Sequence, residues 1–291
     1  MVLKISNLSK LYTDGTKALS GVNLNIQNGM FGLLGPNGAG KSSLMRTIAT
    51  LQEPSEGSIF LDDLDVINKK EEMRKVLGYL PQDFGFYPKV SAEDMLQHFA
   101  ILKGISNKIE RKEICDALLN QTNLYEVRNR YIGDYSGGMR QRFGIAQALL
   151  GNPKVVIVDE PTAGLDPQER NRFHNLLSEV GENIIVILST HIVEDVRNLC
   201  DKMAVMNLGQ VMFEGKTSDA LELLNGKIYS ITIAKEELEE FRMQHKVIST
   251  KVSEGKIIAH VYNDSLPNSK FTSVKADLED VYFSFINLNK I

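Results

Sequence analysis

Eight residues constrain this chain more than any others. Gly35-Pro36-Asn37-Gly38-Ala39-Gly40-Lys41-Ser42 follows an apolar run, Met30-Phe31-Gly32-Leu33-Leu34. After it comes Ser43-Leu44-Met45-Arg46-Thr47-Ile48-Ala49, with apolar residues at helical spacing. The order reads as buried strand, tight loop, helix. Glycines let the backbone reach φ > 0 and leave no Cβ between its amides and a ligand. A helix opening near Gly40 aims free N–H groups and a positive dipole end into the same loop. The spacing G-x-x-x-x-G-K-[ST] therefore describes a cradle for the phosphates of a nucleotide. Loop amides wrap the anion, Lys41 adds a point charge for the β- and γ-phosphates, and the Ser42 hydroxyl is a ligand for Mg²⁺. The competing reading, an ordinary glycine-rich turn, does not explain the flanking strand and helix.

A second segment brings acid to that cradle. Val155-Val156-Ile157-Val158-Asp159-Glu160 is an apolar strand ending in two carboxylates. In open α/β sheets ligands bind at the carboxyl ends of strands. Asp159 is placed to hold Mg²⁺, and Glu160 to accept a proton from the water that attacks the γ-phosphate. By itself this segment reads equally well as a strand running out into solvent; beside a phosphate loop it reads as chemistry. Tyr135-Ser136-Gly137-Gly138-Met139-Arg140-Gln141-Arg142 is a second glycine-rich loop opening a helix, with Ser136 suited to the N-cap. One chain then has two anion-binding surfaces but one phosphate loop, so the second surface is free to serve a nucleotide on another copy.

The rest of the chain supplies the frame. Period-two alternation at Leu3 and Ile5, and at Val22, Leu24 and Ile26, predicts half-buried antiparallel strands. Further strands are predicted at 57–61 and 75–80, the latter broken at Pro81. From about 91 to 150 the pattern is mostly helical, with Met95, Phe99 and Leu102 as one apolar stripe. Continuous apolar runs at 155–158, 184–188 and 203–206 fit strands buried on both faces of a parallel sheet. A hairpin at Asn207-Leu208-Gly209 leads into 210–213. Beyond about 216 come predicted strands at 228–233, 246–252 and 256–261, and helices at 236–244 and 278–288. The reading is α/β: a P-loop NTPase core with an antiparallel β subdomain and a helical subdomain, plus a small C-terminal α+β domain. Boundaries fall at 1–220, with the helical part about 85–150, and 221–291.

Composition narrows the classes. A length of 291 residues allows one large domain and an appendage. The net charge of −4 gives no basic signature for nucleic acid. The longest aliphatic run, Ile184 to Leu188, is far short of the roughly 20 residues of a membrane span, and the N-terminus has no apolar core of secretory length. Cys115 and Cys200 make no disulfide framework, so both are expected to be buried or inert. His98, His174, His245 and His260 are scattered and read as structural or surface residues.

The motifs in this order resemble the nucleotide-binding subunit of an ABC transporter, over about Val2 to Ala220. The resemblance implies ATP and Mg²⁺ as ligands, and a role for each matching position. Ser136, Gly137, Gly138 and Met139 match the signature loop that closes over ATP on a partner. Gln82, within Leu80-Pro81-Gln82-Asp83, matches the loop that touches Mg²⁺ and senses a transmembrane partner. Asp166, in Ala163-Gly164-Leu165-Asp166, matches a loop crossing the dimer seam. His191, after Ser189-Thr190, matches the switch histidine near the γ-phosphate, which groups with Glu160 and Gln82 as catalytic. Tyr12 stands where the family stacks an aromatic on adenine. The nucleotide set is thus Tyr12, Gly35 to Ser43, Ser136 to Met139 and Asp166; the metal set is Ser42, Gln82 and Asp159.

Departures are few. Tyr135 and Met139 stand where many members have Leu and Gln, Ala163 where Ser is common, and Ser43 where a second Thr is common. Tyr135, Met139 and the C-terminal Asp277-Leu278-Glu279-Asp280-Val281-Tyr282 resemble the export-type branch; for the last segment, an amphipathic helix packing its own small core is an equal reading. The implied function is ATP-driven dimer closure powering transport, by export, through separate transmembrane subunits, which would hold the chain at the inner face of a membrane. Asp83-Phe84-Gly85-Phe86-Tyr87-Pro88 places three aromatics at the docking groove, with core packing as the competing role. The alternative function, a soluble ATPase of the same superfamily acting on ribosomes or nucleic acid, usually brings two nucleotide domains, a long coiled coil or basic arms, none of which this sequence contains.

Overall fold

The computed structural model describes residues 1–82, 85–181 and 183–288. In chain order it begins with β1 (Val2–Leu11), β2 (Lys17–Gln27), β3 (Gly29–Leu34), α1 (Lys41–Ile48), β4 (Glu56–Leu61), β5 (Leu64–Asp65), α2 (Lys70–Val76) and β6 (Leu77–Leu80). The helices α3 (Ala92–Leu102), α4 (Lys108–Gln121) and α5 (Gly137–Ala148) follow. Then come β7 (Val155–Asp159), α6 (Pro167–Gly181), β8 (Ile185–Thr190), α7 (Val193–Leu199), β9 (Lys202–Asn207), β10 (Gln210–Lys216) and α8 (Thr217–Glu222). The C-terminal part holds β11 (Ile228–Ile233), α9 (Leu238–Gln244), β12 (Val247–Ser253), β13 (Lys256–Tyr262), β14 (Thr272–Ser273) and α10 (Leu278–Asn287).

Three sheets result. The first is antiparallel, in the order β2-β1-β4-β5. Leu3 lies opposite Ile26 and Ile5 opposite Leu24, so the alternating residues share one buried face. The second has six strands, β10-β9-β3-β8-β7-β6, parallel except for the β9–β10 hairpin. All five residues of β7 and all six of β8 are buried, which is why those runs carry no polar alternation. The third is antiparallel, β12-β13-β11-β14.

Helices α3 to α5 form a cluster around Phe143, with Met95, Leu96, Cys115 and Leu119. Ser91 caps α3 by accepting from the Asp94 amide. The expected stripe needs correction at one end: Met95 is buried, but Leu102 is 69% exposed, and Leu96 and Ala100 complete the buried face. The strand expected at 75–80 starts only at Leu77, because α2 occupies the two residues before it. That helix is mostly charged, with Met73 its one buried residue, so periodicity gave no sign of it.

Helix α10 joins two regions. Asp277 and Asp280 form a reciprocal capping box at its start. Leu278, Val281, Tyr282 and Phe285 pack in the same cluster as Val193 and Val196 of α7, Ala220 of α8, and Ile228 and Ile248 of the third sheet. The helix therefore does not pack only a small core of its own. Each such buried apolar side chain contributes roughly 1.5–3 kcal/mol. Both cysteines are buried; burial pushes the Cys115 thiol up to about 11 and the Cys200 thiol higher still.

Candidate active site

Four segments leave the carboxyl ends of four neighbouring parallel strands. The loop Gly35–Ser42 follows β3, His191 follows β8, Asp159-Glu160 ends β7, and Pro81-Gln82 follows β6. Strands about 4.8 Å apart bring these ends within reach of one another's side chains. Residues distant in sequence thus meet because the sheet order is β3-β8-β7-β6.

The loop and its neighbours form a cleft of about 520 Å³, lined by Tyr12, Pro36 to Ser43, Gln82 and Glu160, with Thr16, Lys17 and Ala18 on the β2 side. Gly40 has φ 101°, and a Cβ there would meet the Ala18 carbonyl oxygen at 2.5 Å; only glycine lets the chain turn into α1 at that point. Lys41 is buried. Its Nζ donates to the carbonyls of Gly35 (2.7 Å) and Pro36 (3.2 Å) and lies 3.5 Å from Glu160 Oε1. A buried ammonium needs such partners, and they hold its charge over the loop. The Tyr12 hydroxyl lies 3.1 Å from Ser43 Oγ and donates to Gln52 Oε1 (3.0 Å), which fixes the ring at the cleft's edge.

Glu160 is 6% exposed and sits at φ 49°, unusual for a residue with a side chain. Its amide donates to the Ser189 carbonyl (2.8 Å), and its Oε2 lies 2.7 Å from His191 Nδ1. The carboxylate therefore bridges Lys41 and His191, whose own side chain is 48% exposed. Asp159 is buried beneath the cleft and is not among its lining residues. Its Oδ1 is buried without a hydrogen-bond partner among the described residues. Burial of an unsatisfied carboxylate oxygen is costly; a hard divalent cation, which takes oxygen ligands, suits it. With the half-buried Ser42 and exposed Gln82 at the cleft, the residues present fit Mg²⁺.

The second loop is built differently. Ser136 caps α5, accepting from the Met139 amide (3.2 Å). Ser136 and Gly137 are exposed, and Met139 is half-buried. Tyr135, by contrast, is buried, its hydroxyl donating to the Val127 carbonyl (3.0 Å). At Gly138 an added Cβ would lie 2.3 Å from Glu169 Oε2, and Glu169 in turn pairs with the buried Arg142 (3.1 Å) and with Arg172 (3.0 Å). Asp166 caps the start of α6, accepting from the Glu169 amide (2.9 Å). None of Ser136, Gly137, Gly138, Met139 or Asp166 lines the cleft.

Sequence reasoning missed several residues here. Gln52, Lys17 and Glu169 belong to no motif and reach the site through tertiary contact alone. Of the three aromatics expected at the docking groove, Phe84, like Asp83, lies outside the described residues. Phe86 packs edge-on against Phe143 with centroids 4.8 Å apart, and Tyr87 is exposed.

Comparison with known proteins bears on the same residues. The family model for "ABC transporter" matches residues 19–163. The chain is 30% identical over 302 residues to the uncharacterized ABC transporter ATP-binding protein YxlF of Bacillus subtilis (strain 168), spanning 98% of this chain and 100% of that one. Among solved structures it is similar to the ATP-binding cassette MJ0796, a dimer in a post-hydrolysis state bound to ADP and Pi (TM-score 0.64, 29% identity, 74% of this chain and 98% of that chain). It is also similar to cbiO1 from Clostridium perfringens, part of the ABC transporter complex cbiONQ (TM-score 0.69, 30% identity, 83% and 96%). An alignment that runs end to end with a relative of this kind, over a sheet that gathers the nucleotide motifs at one edge, places the chain in the ABC transporter family, as an ATP-binding and ATP-hydrolysing subunit that powers transport together with membrane components.

Proposed function

We propose that hydrolysis occurs in a pocket shared by two subunits. Each ATP is held by the Lys41 side of one subunit and covered by Ser136 to Met139 of the other, with Asp166 and its turn at the seam. One observation carries this reading: the exposed, capped loop at Ser136 lies off the cleft that holds Lys41 and Glu160. Glu160 takes the proton of the attacking water, and His191, 2.7 Å away, orients that carboxylate and faces the γ-phosphate. Tyr12 gives the adenine an aromatic face. Asp159, Ser42 and Gln82 would hold Mg²⁺, whose chemistry is to neutralise charge developing on the phosphate oxygens. The second subunit is either another copy or a related chain, since this chain carries the full set.

The groove beside Gln82 is the place for a membrane partner. Leu51 and Leu102 expose apolar surface there, and Tyr79, Phe86 and Phe99 complete its wall. Lys103 closes one side by donating to the Leu77 and Arg74 carbonyls, and burial holds its pKa below the ordinary lysine value. A short amphipathic helix of a transmembrane subunit suits such a surface. No described helix is long and apolar enough to cross a membrane itself, so membrane attachment at the inner face is assigned to that partner. Export is read from Tyr135 and Met139, and residues 221–291 are taken as an accessory unit.

The test is Glu160→Gln in the full chain. Nucleotide binding is expected to persist, turnover to fall by about 10²–10⁴-fold, and an ATP-dependent dimer to accumulate on size-exclusion chromatography. Rapid hydrolysis by this variant would overturn the role given to Glu160.

A further inference from the structure

Behind the cleft lies a polar cluster that no motif includes. Thr162 Oγ1 donates to Asp195 Oδ2, and Asp195 Oδ1 lies 3.0 Å from His174 Nε2. Thr162 and Asp195 are fully buried, and His174 is 7% exposed. Around them the core is apolar, with Phe173, Leu177, Val193 and Val196. A carboxylate in such surroundings is tolerated only when donors satisfy it. Among the described residues Asp195 has two, from two different segments, and neither can withdraw without leaving it short.

The three residue types are those of a nucleophilic triad, but the order is wrong for one. Here the carboxylate sits in the middle, and the hydroxyl donates to it rather than to the imidazole, so among the described residues no base faces Oγ1. The cluster therefore joins segments. Thr162 is two residues after Glu160 and opens the turn that ends at Asp166, its carbonyl accepting from the Leu165 amide (3.2 Å). Asp195 lies in the first turn of α7, four residues after His191. His174 lies on α6, the helix that Asp166 caps.

We propose that Thr162, Asp195 and His174 are positioning residues for hydrolysis. They hold the loop of Glu160 and the segment of His191 in one register, and they tie both to the seam turn at 163–166. Glu160 is kept at φ 49° by contacts on both sides: its amide on Ser189, its side chain on His191, and the following Thr162 anchored in the core. A fully satisfied buried network specifies one arrangement. Displacement of the turn when a second subunit meets it then reaches Glu160 and His191 together. This rests on the reading of Glu160 as the base.

The experiment compares variants of the full chain by kcat for ATP and by equilibrium binding of a fluorescent ATP analogue. Thr162→Val keeps the shape and removes the donor; kcat is expected to fall about tenfold with binding changed less than about twofold. Thr162→Ser should recover most of the loss. His174→Gln, which retains an N–H donor, should cost less than His174→Phe, and Thr162→Val with His174→Phe should cost less than the product of the two. A structural role alone would lower binding and kcat in step, without that split or that recovery. Unchanged kcat in Thr162→Val, failure of Thr162→Ser to recover activity, or a parallel loss of binding overturns the proposal. Should Thr162→Val not fold, the two His174 variants decide by the same split. Glu160→Gln is run alongside. If it still hydrolyses ATP, the base assignment falls and this inference with it; if it is inactive while Thr162→Val is unimpaired, only this inference falls.

Discussion

Two glycine-rich loops open helices in this chain, and they are finished in opposite ways. The loop at Gly35–Ser42 is closed by its own protein: Lys41 is buried, bonded to two loop carbonyls and 3.5 Å from Glu160. The loop at Ser136–Met139 is anchored from behind, by Tyr135 in the core and by Glu169 against Gly138, while Ser136 and Gly137 face outward. Both present helix N-termini, where amides and dipole favour an anion. Only the first has a buried ammonium paired with a buried carboxylate beside it. The difference teaches that the same local motif is enclosed or left open according to what the rest of the fold brings to it, and on the proposed reading this separates the reaction site from its cover.

The contrast can be broken at either loop. The largest effect is expected at Lys41. Lys41→Met removes a charge-assisted contact worth roughly 1.5–3 kcal/mol, so nucleotide affinity should fall about 10–100-fold, read by titration with a fluorescent analogue. Ser136→Arg should act oppositely, leaving binding by a single protomer within about twofold while hydrolysis falls tenfold or more. Equal losses of affinity in the two variants would erase the distinction. Mixing the two variants sharpens it further. A pair formed from one of each contains one intact pocket, so hydrolysis should return to about a quarter of the wild-type rate if chains pair at random; no recovery would argue against a shared site.

The smallest effect belongs to a region away from both loops. His260 Nδ1 lies 2.8 Å from Asp280 Oδ1, joining β13 to α10. The hydrogen bond to Asp280 raises the His260 pKa above 6.5. The folded chain thus binds this proton more tightly than the unfolded chain. Its stabilisation is complete below the unfolded value and is lost as pH rises through the raised folded value. Urea midpoints at about pH 6 and about pH 9 should differ more for the wild type than for His260→Gln, with nucleotide affinity at the Lys41 cleft unaffected.

Much of this was legible in advance, for a local reason. A phosphate loop is contiguous, and its flanking strand and helix carry their own periodicity, so Gly35–Ser42 could be placed without knowing any neighbour. The same holds for β7 and its terminal carboxylates, and for β11, β12 and β13 of the third sheet, but not for the two-residue β14, too short to carry a pattern. Periodicity failed where burial is decided by a neighbour. Leu102 continues the spacing of Met95 and Phe99, yet it emerges at the groove because α3 ends there. The charged α2 shows no amphipathic pattern because one residue, Met73, is all it buries. The spacing of α10 predicts an amphipathic helix but does not say which core it enters.

The sequence by itself determined the chemistry of each segment: the phosphate cradle, the acidic strand end, the capped second loop, the histidine after β8. Tertiary structure alone decided who meets whom. The order β3-β8-β7-β6 sets Glu160 between Lys41 and His191, and it buries Asp195 between Thr162 and His174, 33 and 21 residues away. The physical reason is that propensity and backbone hydrogen bonding act over a few residues, whereas satisfaction of a buried charge depends on donors that only the packed sheet and helices bring together.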